Sequence, residues 1–414
     1  MKFQPVTART RWRQQAQDFG YLSSILDDPP YWVEALSNPF CVVFSHEEIV
    51  DRVRAATKEL TALGLELVKE VCSGKRSEEM FDKLKIDPWY RQAIRESWRR
   101  CDASLYGRFD FAYDGTTLKM LELNFDTPAS VYEAAILQWA WLEEKKGTDG
   151  IPNRADQYNQ IHQRLVETFG ELIPQGAVLH LASMHSCPEE EDTVKYLQSC
   201  AALAGIQTKF VHMRDLRWNN VGEFFDNDHQ PITHLFKLYP WEFLFDEDRN
   251  ISREHGRRVL PPTIESRSIT FLEPAWKSIL SNKACLPLLW QMAPNHPFLL
   301  EAAFDDQSRE AAALRAQPHV RKPIFGREGG SVSIIIPGDE QDSVANPSEY
   351  GAEGFLLQRL QPLAQYQGFH MVLGSWVING NPAGLGIRAD KSKITGTRAN
   401  FIPHYVQPPA KEAA

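Results

Sequence analysis

The feature that most constrains the fold is a stretch in which charged residues interrupt two otherwise apolar strands: RFDFAYDGTTLKMLELNFDTPAS, residues 108–130. Side chains two positions apart on a strand share a face. Arg108 therefore lies beside Asp110, and Glu122 lies beside Asn124, while phenylalanines and leucines occupy the opposite face. The Asp-Gly pair between the two runs predicts a turn. We expect a β-hairpin with one apolar face and one charged face.

The length of the hairpin loop decides whether the two polar pairs meet. A two-residue loop sets Arg108 opposite Leu121, which is on the wrong face for Glu122. A three-residue loop sets Arg108 across from Glu122 and Asp110 across from Met120. Because side chains alternate between the faces of a strand, only loops with an odd number of residues are expected to gather the polar groups on one surface.

Two interpretations of the charged face stay open. Two carboxylates, an amide oxygen and a guanidinium form the set that a magnesium ion with a phosphate group needs, because Mg²⁺ takes hard oxygen ligands and a guanidinium balances the anion. Alternatively, the face is the solvated side of an antiparallel sheet with a cross-strand ion pair, which is worth less than about 1 kcal/mol.

Length and composition exclude several classes of protein. The chain has 414 residues, 43% of them hydrophobic and 24% charged, which suits a globular protein of two or three domains. No run approaches the ~20 apolar residues that cross a bilayer, and the N-terminus lacks the apolar segment of a secretory signal.

The net charge of -9 and the dispersed basic residues argue against nucleic acid as a partner. The six cysteines show no C-x-x-C pair and no histidine spacing suited to zinc, so we expect a reduced, cytoplasmic setting.

The hydrophobic pattern divides the chain into three predicted parts. Residues 1–156 hold an amphipathic helix over 47–72 and the hairpin. Residues 157–275 alternate helices with short apolar strands, which predicts a small α/β domain with parallel strands. Within them, the highly charged residues 246–268 are expected to form an exposed connection. Residues 276–414 hold further strands around a glycine-rich loop, and the final VQPPAKEAA is expected to lack regular structure.

Two helix starts are candidate substrate sites. Ser130, with Glu133 three positions on, forms a capping box at the start of a helix directly after the hairpin. The free N–H groups there could seat a substrate carboxylate, although capping alone also explains the pattern. Glu190 and Glu191 open a later helix that follows a predicted strand, where they could receive a cationic amine. The alternative is that these acids only favour the positive end of the helix dipole.

A second group of candidates surrounds the sequence VRKPIFGREGGSVSIII, which predicts strand, glycine-rich loop and strand. Glycines let backbone N–H groups converge on a phosphate, although a hairpin with a flexible tip explains the pattern equally well. Lys322 lies in an apolar strand, where a buried cation needs an anionic partner. Lys283, Arg327 and Arg388 are further cations that could meet the same anion or form surface ion pairs.

Five blocks of this sequence occur in the same order in bacterial glutathionylspermidine synthase-like proteins, which the chain resembles over nearly its whole length. The blocks are RFDFAYDG...LKMLELNFDTPASVYEA, FKLYPWE, EPAWKSILSNKACLPLLWQMAPNHPFLL, KPIFGREGGSVSI and GIRAD. The chain is similar to the synthetase half of the bifunctional members, without their amidase. This resemblance implies an α/β (α+β) fold of ATP-grasp type with a small pre-ATP-grasp-like domain. It also implies an ATP-dependent carboxylate–amine ligase that uses ATP and Mg²⁺ and forms an amide through an acyl phosphate.

The resemblance implies a role for each candidate residue. The magnesium ligands would be Asp110, Glu122 and Asn124, and the catalytic cations would be Arg108 and Arg388. The ATP-binding residues would be Lys283, Lys322, Gly326, Arg327, Gly329, Gly330, Ser331 and Gln358, with Gln358 at the adenine. The substrate-binding candidates are Asp126, Thr127, Ser130, Glu190 and Glu191.

The substrates and the turnover stay open at this point. The implied partners are a small-molecule or peptide carboxylate and an amine, with a polyamine as one candidate, and neither nucleic acid nor a membrane is expected. One alternative is a regulatory protein that binds a nucleotide in an ATP-grasp fold without ligase turnover. Another is a phosphotransferase that stops at the phosphorylated product.

Overall fold

The computed structural model describes most of the chain. The described residues are 1–20, 30–185, 187–219, 222–339 and 344–408. The end of the tail that was expected to lack regular structure, residues 409–414, lies outside them. Among the described residues, no helix is both long enough and apolar enough to cross a membrane.

The strands and helices are numbered here in chain order. The strands are β1 Lys2–Pro5, β2 Phe40–Phe44, β3 Tyr106–Tyr113, β4 Leu118–Asn124, β5 Val178–Ser183, β6 Gln207–His212, β7 Arg217–Trp218, β8 Phe224–Phe225, β9 Pro231–Ile232, β10 His234–Lys237, β11 Thr270–Leu272, β12 Ala302–Phe304, β13 His319–Pro323, β14 Ser333–Ile335, β15 Val344–Ala345, β16 Phe355–Arg359, β17 Ala364–Tyr366, β18 Phe369–Ile378, β19 Asn381–Asp390, β20 Asn400–Ile402 and β21 His404–Val406. The α-helices are α1 Trp12–Asp18, α2 Ala55–Ser73, α3 Ser77–Lys83, α4 Pro88–Arg99, α5 Gln138–Lys145, α6 Ile161–Leu172, α7 Pro188–Leu203, α8 Trp241–His255, α9 Leu260–Ser266, α10 Cys285–Met292 and α11 Arg309–Arg315. Short π-helical segments are Glu48–Arg54 and Glu133–Leu137, and short 3-10 segments are Val33–Ala35, Met213–Asp215 and Ala275–Ile279.

The largest sheet joins the predicted hairpin to the C-terminal part of the chain. Its strand order is β20-β19-β18-β3-β4, with β17 paired to β18, and the pairings are antiparallel. Every residue of β3 is buried. A strand covered on both faces leaves its charged side chains without bulk water, so they need partners from neighbouring strands. This sheet therefore brings early and late candidate residues together.

The hairpin gathers its polar face by a different route from the predicted one. The connecting loop, Asp114–Thr117, has an even number of residues, and a β-bulge after Asp110 shifts the register by one. Arg108 consequently lies across from Asn124, and Asp110 lies across from Glu122. The prediction that only an odd-numbered loop would suffice was wrong, because a bulge also exchanges the two faces of a strand.

A second sheet is parallel, as the alternation of helix and strand predicted. Its order is β11-β10-β5-β6, and each neighbouring pair is parallel. Helix α7 connects β5 to β6. The carboxyl ends of these strands lie at one edge, where open parallel sheets bind ligands.

A third sheet carries the glycine-rich loop. Its order is β12-β16-β13-β14-β15, with antiparallel pairings, so the predicted strand, loop and strand form a hairpin of β13 and β14. Two small sheets, β1-β2-β21 and β7-β8-β9, complete the topology. The division of the chain into residues 1–156, 157–275 and 276–414 stays a prediction.

Residues 246–268 are not the predicted exposed connection. They belong largely to α8 and α9, and the side chains of Val259, Leu260 and Ile264 are buried. Gly256 ends α8 with a φ of 72°, the left-handed conformation that terminates many helices. The density of charges on the outer face hid the apolar period of these two helices.

The predicted capping box at Ser130 does not form. Ser130 has a φ of 70°, whereas an N-cap residue has extended backbone. Within the described part of the chain, the Ser130 hydroxyl makes no hydrogen bond to the backbone of Glu133. The Ser130 carbonyl instead accepts a hydrogen bond from the Ala134 N–H at 3.2 Å. Ser130 lines the cleft described below.

Candidate active site

A cleft of about 300 Å³ is lined by residues of the two large antiparallel sheets and by loop and helix residues that adjoin the parallel sheet. The predicted residues that line it are Arg108, Asp110, Glu122, Asn124, Asp126, Thr127, Ser130, Glu190, Lys283, Lys322, Gly326, Arg327, Gly329, Gly330, Gln358 and Arg388. The two predicted clusters, which lie far apart in sequence, therefore share one cavity.

Asp110 is the centre of a buried charge network. Its carboxylate is 2% exposed and accepts a hydrogen bond from Arg108 Nε at 2.6 Å. Arg388 Nη2 donates to the other carboxylate oxygen at 2.6 Å, and Asn124 Nδ2 donates to that oxygen at 3.2 Å. Two guanidiniums thus bind one carboxylate, which leaves a net positive charge in this group of three residues. Burial lowers the pKa of Arg388, and the charge of Asp110 opposes that shift.

Glu122 faces lysines that come from the other side of the cleft. Its Oε2 lies 3.6 Å from Lys283 Nζ, and its Oε1 accepts a hydrogen bond from Asn124 Nδ2 at 3.3 Å. Burial favours a raised pKa, but the charges of Lys283, Lys322 and Arg388 outweigh it and hold the Glu122 pKa well below its ordinary value. Glu122 is therefore an ionised carboxylate at the junction of the two clusters.

Lys322 is the buried cation that the sequence singled out. Its side chain lies in β13, the residue is 7% exposed, and Nζ donates to the Leu121 carbonyl at 2.8 Å. Burial lowers its pKa to about 8, while the nearby charge of Glu122 acts in the opposite direction. Lys283 Nζ donates to the Gly326 carbonyl at 2.6 Å, which ties this second lysine to the glycine-rich loop.

The glycine-rich loop packs closely against the wall of the cleft. Gly329 has a φ of 70°, and a Cβ atom there would lie 2.7 Å from the side chain of Ile394 and 2.9 Å from the Thr395 carbonyl oxygen. Only glycine fits this position without strain. In the same loop, Arg327 donates a hydrogen bond to the Thr127 hydroxyl. The loop therefore touches the segment that follows the charged hairpin.

Two predicted site residues lie off the cleft, and one lies deep within its wall. The Ser331 hydroxyl is 2.8 Å from the Ser348 hydroxyl, and it does not line the cavity. Glu191 is also outside the cavity lining, with Oε2 3.6 Å from Lys195 Nζ. Gln358 lines the cavity from β16 and is 1% exposed.

Asp126 is engaged by the protein itself. Its two carboxylate oxygens accept hydrogen bonds from Lys237 Nζ and from the Trp241 N–H, each at 2.8 Å. Lys237 is fully buried, and Nζ lies 4.4 Å from the centre of the Trp241 ring. Sequence reasoning missed Lys237, although a lysine in the apolar strand HLFK is the same signal that pointed to Lys322. Asp126 thus connects the segment after the hairpin to the end of β10.

One part of the cleft wall carries two glutamates that lie near Arg327. Glu190 lines the cavity, and burial raises its pKa, while its Oε2 accepts a hydrogen bond from the Met184 N–H at 3.4 Å. Glu242 also lines the cavity, with a pKa that burial raises. Sequence reasoning missed Glu242 and also Lys393, because neither interrupts an apolar pattern. This wall could receive a cationic group.

Similar proteins define the class of this chain. A protein from Haemophilus influenzae named "Putative acid--amine ligase" is 36% identical over 393 residues, which cover 92% of both chains. The trypanothione synthetase of Crithidia fasciculata is 29% identical over 77% of this chain and 49% of its own length. The bifunctional glutathionylspermidine synthetase/amidase of Escherichia coli is 26% identical over 85% of this chain and 57% of its own length. The chain is an ATP-dependent ligase that joins an acid to an amine.

Within this class of ligases, the sequence assigns the chain to one family. The sequence profile described as glutathionylspermidine synthase pre-ATP-grasp matches residues 3–407, so the chain belongs to that family. The fold is of ATP-grasp type. A solved structure of a glutathione synthetase-like effector from Globodera pallida covers 96% of both chains with a TM-score of 0.54 and 12% identity, a likeness that shows the fold alone. This chain spans about half the length of the trypanothione and glutathionylspermidine relatives.

Proposed function

We propose that the cleft binds ATP with Mg²⁺ and phosphorylates a substrate carboxylate, which an amine then attacks to give an amide. The observation that carries this proposal is the meeting of Asp110 and Glu122 with Lys283, Lys322 and Arg388 around one cavity. Hard carboxylate ligands beside several cations suit a divalent ion that carries a triphosphate.

The donor set supports Mg²⁺ at the hairpin. Asp110 and Glu122 lie across from each other on β3 and β4, and Asn124 reaches both carboxylates. The Asn124 amide presents its NH₂ group to these acids, and a half-turn about its terminal bond would present the oxygen instead. These three residues would hold the ion, which supplies a positive charge that balances phosphate oxygens.

The lysines and the glycine-rich loop support the nucleotide site. Lys283 and Lys322 would contact phosphate oxygens in place of the backbone carbonyls that they contact now. The backbone of Gly326, Gly329 and Gly330, together with Arg327, would cover the phosphates, and Ser331 would support the loop from outside through its hydroxyl. Gln358 would lie at the adenine.

The reaction then needs charge stabilisation rather than a protein nucleophile. The terminal phosphoryl group of ATP passes to an oxygen of the substrate carboxylate, which gives an acyl phosphate and ADP. The amine nitrogen attacks the acyl carbon, the C–O bond to phosphate breaks, and phosphate leaves as the nitrogen loses a proton. Arg108 and Arg388 lie beside the metal ligands, where positioned cations stabilise charge on the transferring oxygens.

The two substrates would lie beyond the phosphates. Thr127 and Ser130 line the cleft just after the hairpin, and we assign them to the donor carboxylate. Glu190, with Glu242, would attract the amine, whereas Asp126 would position the wall through Lys237. A polyamine fits an acidic wall of this kind, and the Escherichia coli relative is named a glutathionylspermidine synthetase/amidase. Glu191 would act only indirectly, through the turn that it shares with Glu190.

The six cysteines are unpaired, which supports a reducing, cytoplasmic setting for the reaction.

The test is phosphate release in the presence of ATP, Mg²⁺ and a panel of acids and amines. We expect release that depends on both an acid and an amine, with amide detected by mass spectrometry. Arg388→Ala should reduce this release to background. The matched control is Arg315→Ala, which removes a surface arginine paired to Asp305 outside the cleft. Phosphorylated acid that accumulates without amine would instead indicate a phosphotransferase, and ATP binding without turnover would indicate a regulatory protein.

A further inference from the structure

Two histidines and a glutamate come together outside the cleft, at the carboxyl edge of the parallel sheet. His185 lies two residues after Ser183, the last residue of β5, and His212 is the last residue of β6. Ser183 and His212 are direct partners in the parallel pairing. Glu191 lies in the first turn of α7, the helix that connects these two strands. The topology therefore gathers these side chains although the histidines are far apart in sequence.

The possible ligand atoms of the three side chains lie close together. One donor atom from each residue lies within 4.8 Å of the other two. Glu191 Oε1 is 3.9 Å from His212 Nδ1, which is too long for a hydrogen bond. His212 Nδ1 is shielded from solvent and has no hydrogen-bond partner among the described residues. The rings of His185 and His212 lie 4.9 Å apart at 88°. A ring nitrogen that is both shielded and unbonded carries an energetic cost that a bound ion would remove.

We propose that His185, Glu191 and His212 form a binding site for a divalent transition-metal ion of the Zn²⁺ type, separate from the Mg²⁺ and ATP site. Imidazole nitrogens suit zinc and its neighbours, whereas Mg²⁺ prefers oxygen ligands only. Two imidazoles and one carboxylate leave a fourth position for water or another ligand.

The cluster needs only a small adjustment to hold such an ion. Bonds of about 2.1 Å in tetrahedral geometry place ligand atoms roughly 3.4 Å apart, so donors that lie up to 4.8 Å apart must approach by up to about 1.4 Å. His185 is exposed and Glu191 is half-buried, so their side chains can rotate. The second oxygen of Glu191 lies near Lys195 Nζ, at 3.6 Å, and this contact leaves Oε1 directed at His212.

The position of this cluster gives the ion a structural consequence. Glu191 follows Glu190, which lines the catalytic cleft, and Cys187 on the same turn also lines it. An ion held by His185, Glu191 and His212 would fasten this turn to the end of β6. We therefore expect metal binding to stabilise the fold while the Mg²⁺-dependent reaction continues without it.

The experiment uses full-length protein freed of metal with a chelator. Zn²⁺ is titrated by calorimetry, and Co²⁺ is titrated by absorption spectroscopy. We expect one ion per chain in a tetrahedral or five-coordinate spectrum of nitrogen and oxygen ligands. His185→Ala and Glu191→Gln should each weaken binding at least about tenfold, as loss of a ligand usually does. His46→Ala removes an exposed histidine on another element and should leave the affinity unchanged.

Thermal unfolding and activity complete the test. Zn²⁺ should raise the unfolding temperature of the wild-type protein but not that of His185→Ala, while the ligase activity of His185→Ala with Mg²⁺ stays at the wild-type level. Equal Zn²⁺ affinity in wild-type, His185→Ala and Glu191→Gln proteins would overturn the proposal. A thiolate-to-Co²⁺ charge-transfer band would also overturn it, because it would assign the ion to a cysteine.

Discussion

Replacing Lys322 by methionine separates a role in the site from a role in folding. Methionine keeps a long unbranched side chain but removes the charge. Burial lowers the pKa of Lys322 to about 8 in the folded protein. Because the unperturbed value is about 10.4, holding the charged lysine at pH 7 costs about 3 kcal/mol. The variant also loses the hydrogen bond to the Leu121 carbonyl, a loss of about 1–2 kcal/mol. We expect Lys322→Met to be about 1–2 kcal/mol more stable than wild type at pH 7.

The pH dependence of this difference has a definite sign. The folded wild-type protein releases the Lys322 proton near pH 8, whereas the unfolded chain releases it near pH 10.4. Between these values the unfolded state binds more protons, so wild-type stability rises with pH. The advantage of Lys322→Met is therefore full below pH 8 and fades as the pH approaches 10.4. Urea unfolding at pH 7 and at pH 9.5, followed by circular dichroism, measures both values.

The same variant should bind ATP at least about tenfold more weakly at pH 7, because a hydrogen bond to a charged group is worth about 1.5–3 kcal/mol. Calorimetry with a non-hydrolysable ATP analogue measures this loss. The matched control is Lys119→Met, since Lys119 Nζ also donates to a backbone carbonyl, that of Leu299 at 3.1 Å, but does not line the cleft. The reasoning is refuted if Lys322→Met is less stable than wild type by more than about 1 kcal/mol and keeps its ATP affinity, because the lysine would then be structural.

Three further predictions concern the same cleft. Asp110→Asn leaves Arg108 and Arg388 without their carboxylate. We therefore expect the free energy of unfolding, measured with urea, to fall by about 3–5 kcal/mol, and phosphate release to be lost. A stable, active variant would contradict the charge network around Asp110. Glu122→Gln should raise the Mg²⁺ concentration for half-maximal activity at least about tenfold in a titration at saturating ATP, and an unchanged titration would remove Glu122 from the metal site. Arg327→Ala should raise the KM for ATP while the free energy of unfolding falls by only about 1 kcal/mol, the usual worth of its hydrogen bond to Thr127, as judged by steady-state kinetics and urea unfolding. An unchanged KM would argue that Arg327 does not contact the nucleotide.

The sequence predicted the structural elements that depend only on neighbouring residues. The charged hairpin, the parallel sheet and the strand pair around the glycine-rich loop each follow from apolar periodicity and turn residues. The register of the hairpin could not be predicted, because the bulge after Asp110 leaves no mark in the sequence of either strand. The helices within residues 246–268 were missed because abundant charges outweighed the few buried residues that hold them.

In the candidate site, the sequence likewise predicted which residues need a partner but not which partner they have. Lys322 could be predicted because a lysine in an apolar strand requires a partner, yet Lys237 gives an equal signal and was overlooked. Its partner, Asp126, lies just after β4 in a different sheet. The position of Asp126 after the hairpin suggested a contact with the substrate, but its carboxylate binds Lys237. Sequence reveals which side chains need a counter-charge. The fold decides whether that counter-charge comes from the protein or from a ligand.

Two glutamates in the cleft constrain how the amine is held. Lys283 and Lys322 belong to the proposed triphosphate site, whereas Glu190 and Glu242 line the same cleft near Arg327. Burial raises the pKa of both glutamates, so each carboxylate holds its proton to a higher pH than usual in the free protein. A bound ammonium group favours the ionised carboxylates and lowers their pKa again. Amine binding must therefore release protons from this wall, and the apparent affinity for the amine must rise with pH until the glutamates are ionised in the free protein. A neutral acceptor would show neither the proton release nor the rise, so the pH dependence of the acceptor KM identifies the charge of the missing substrate before its structure is known.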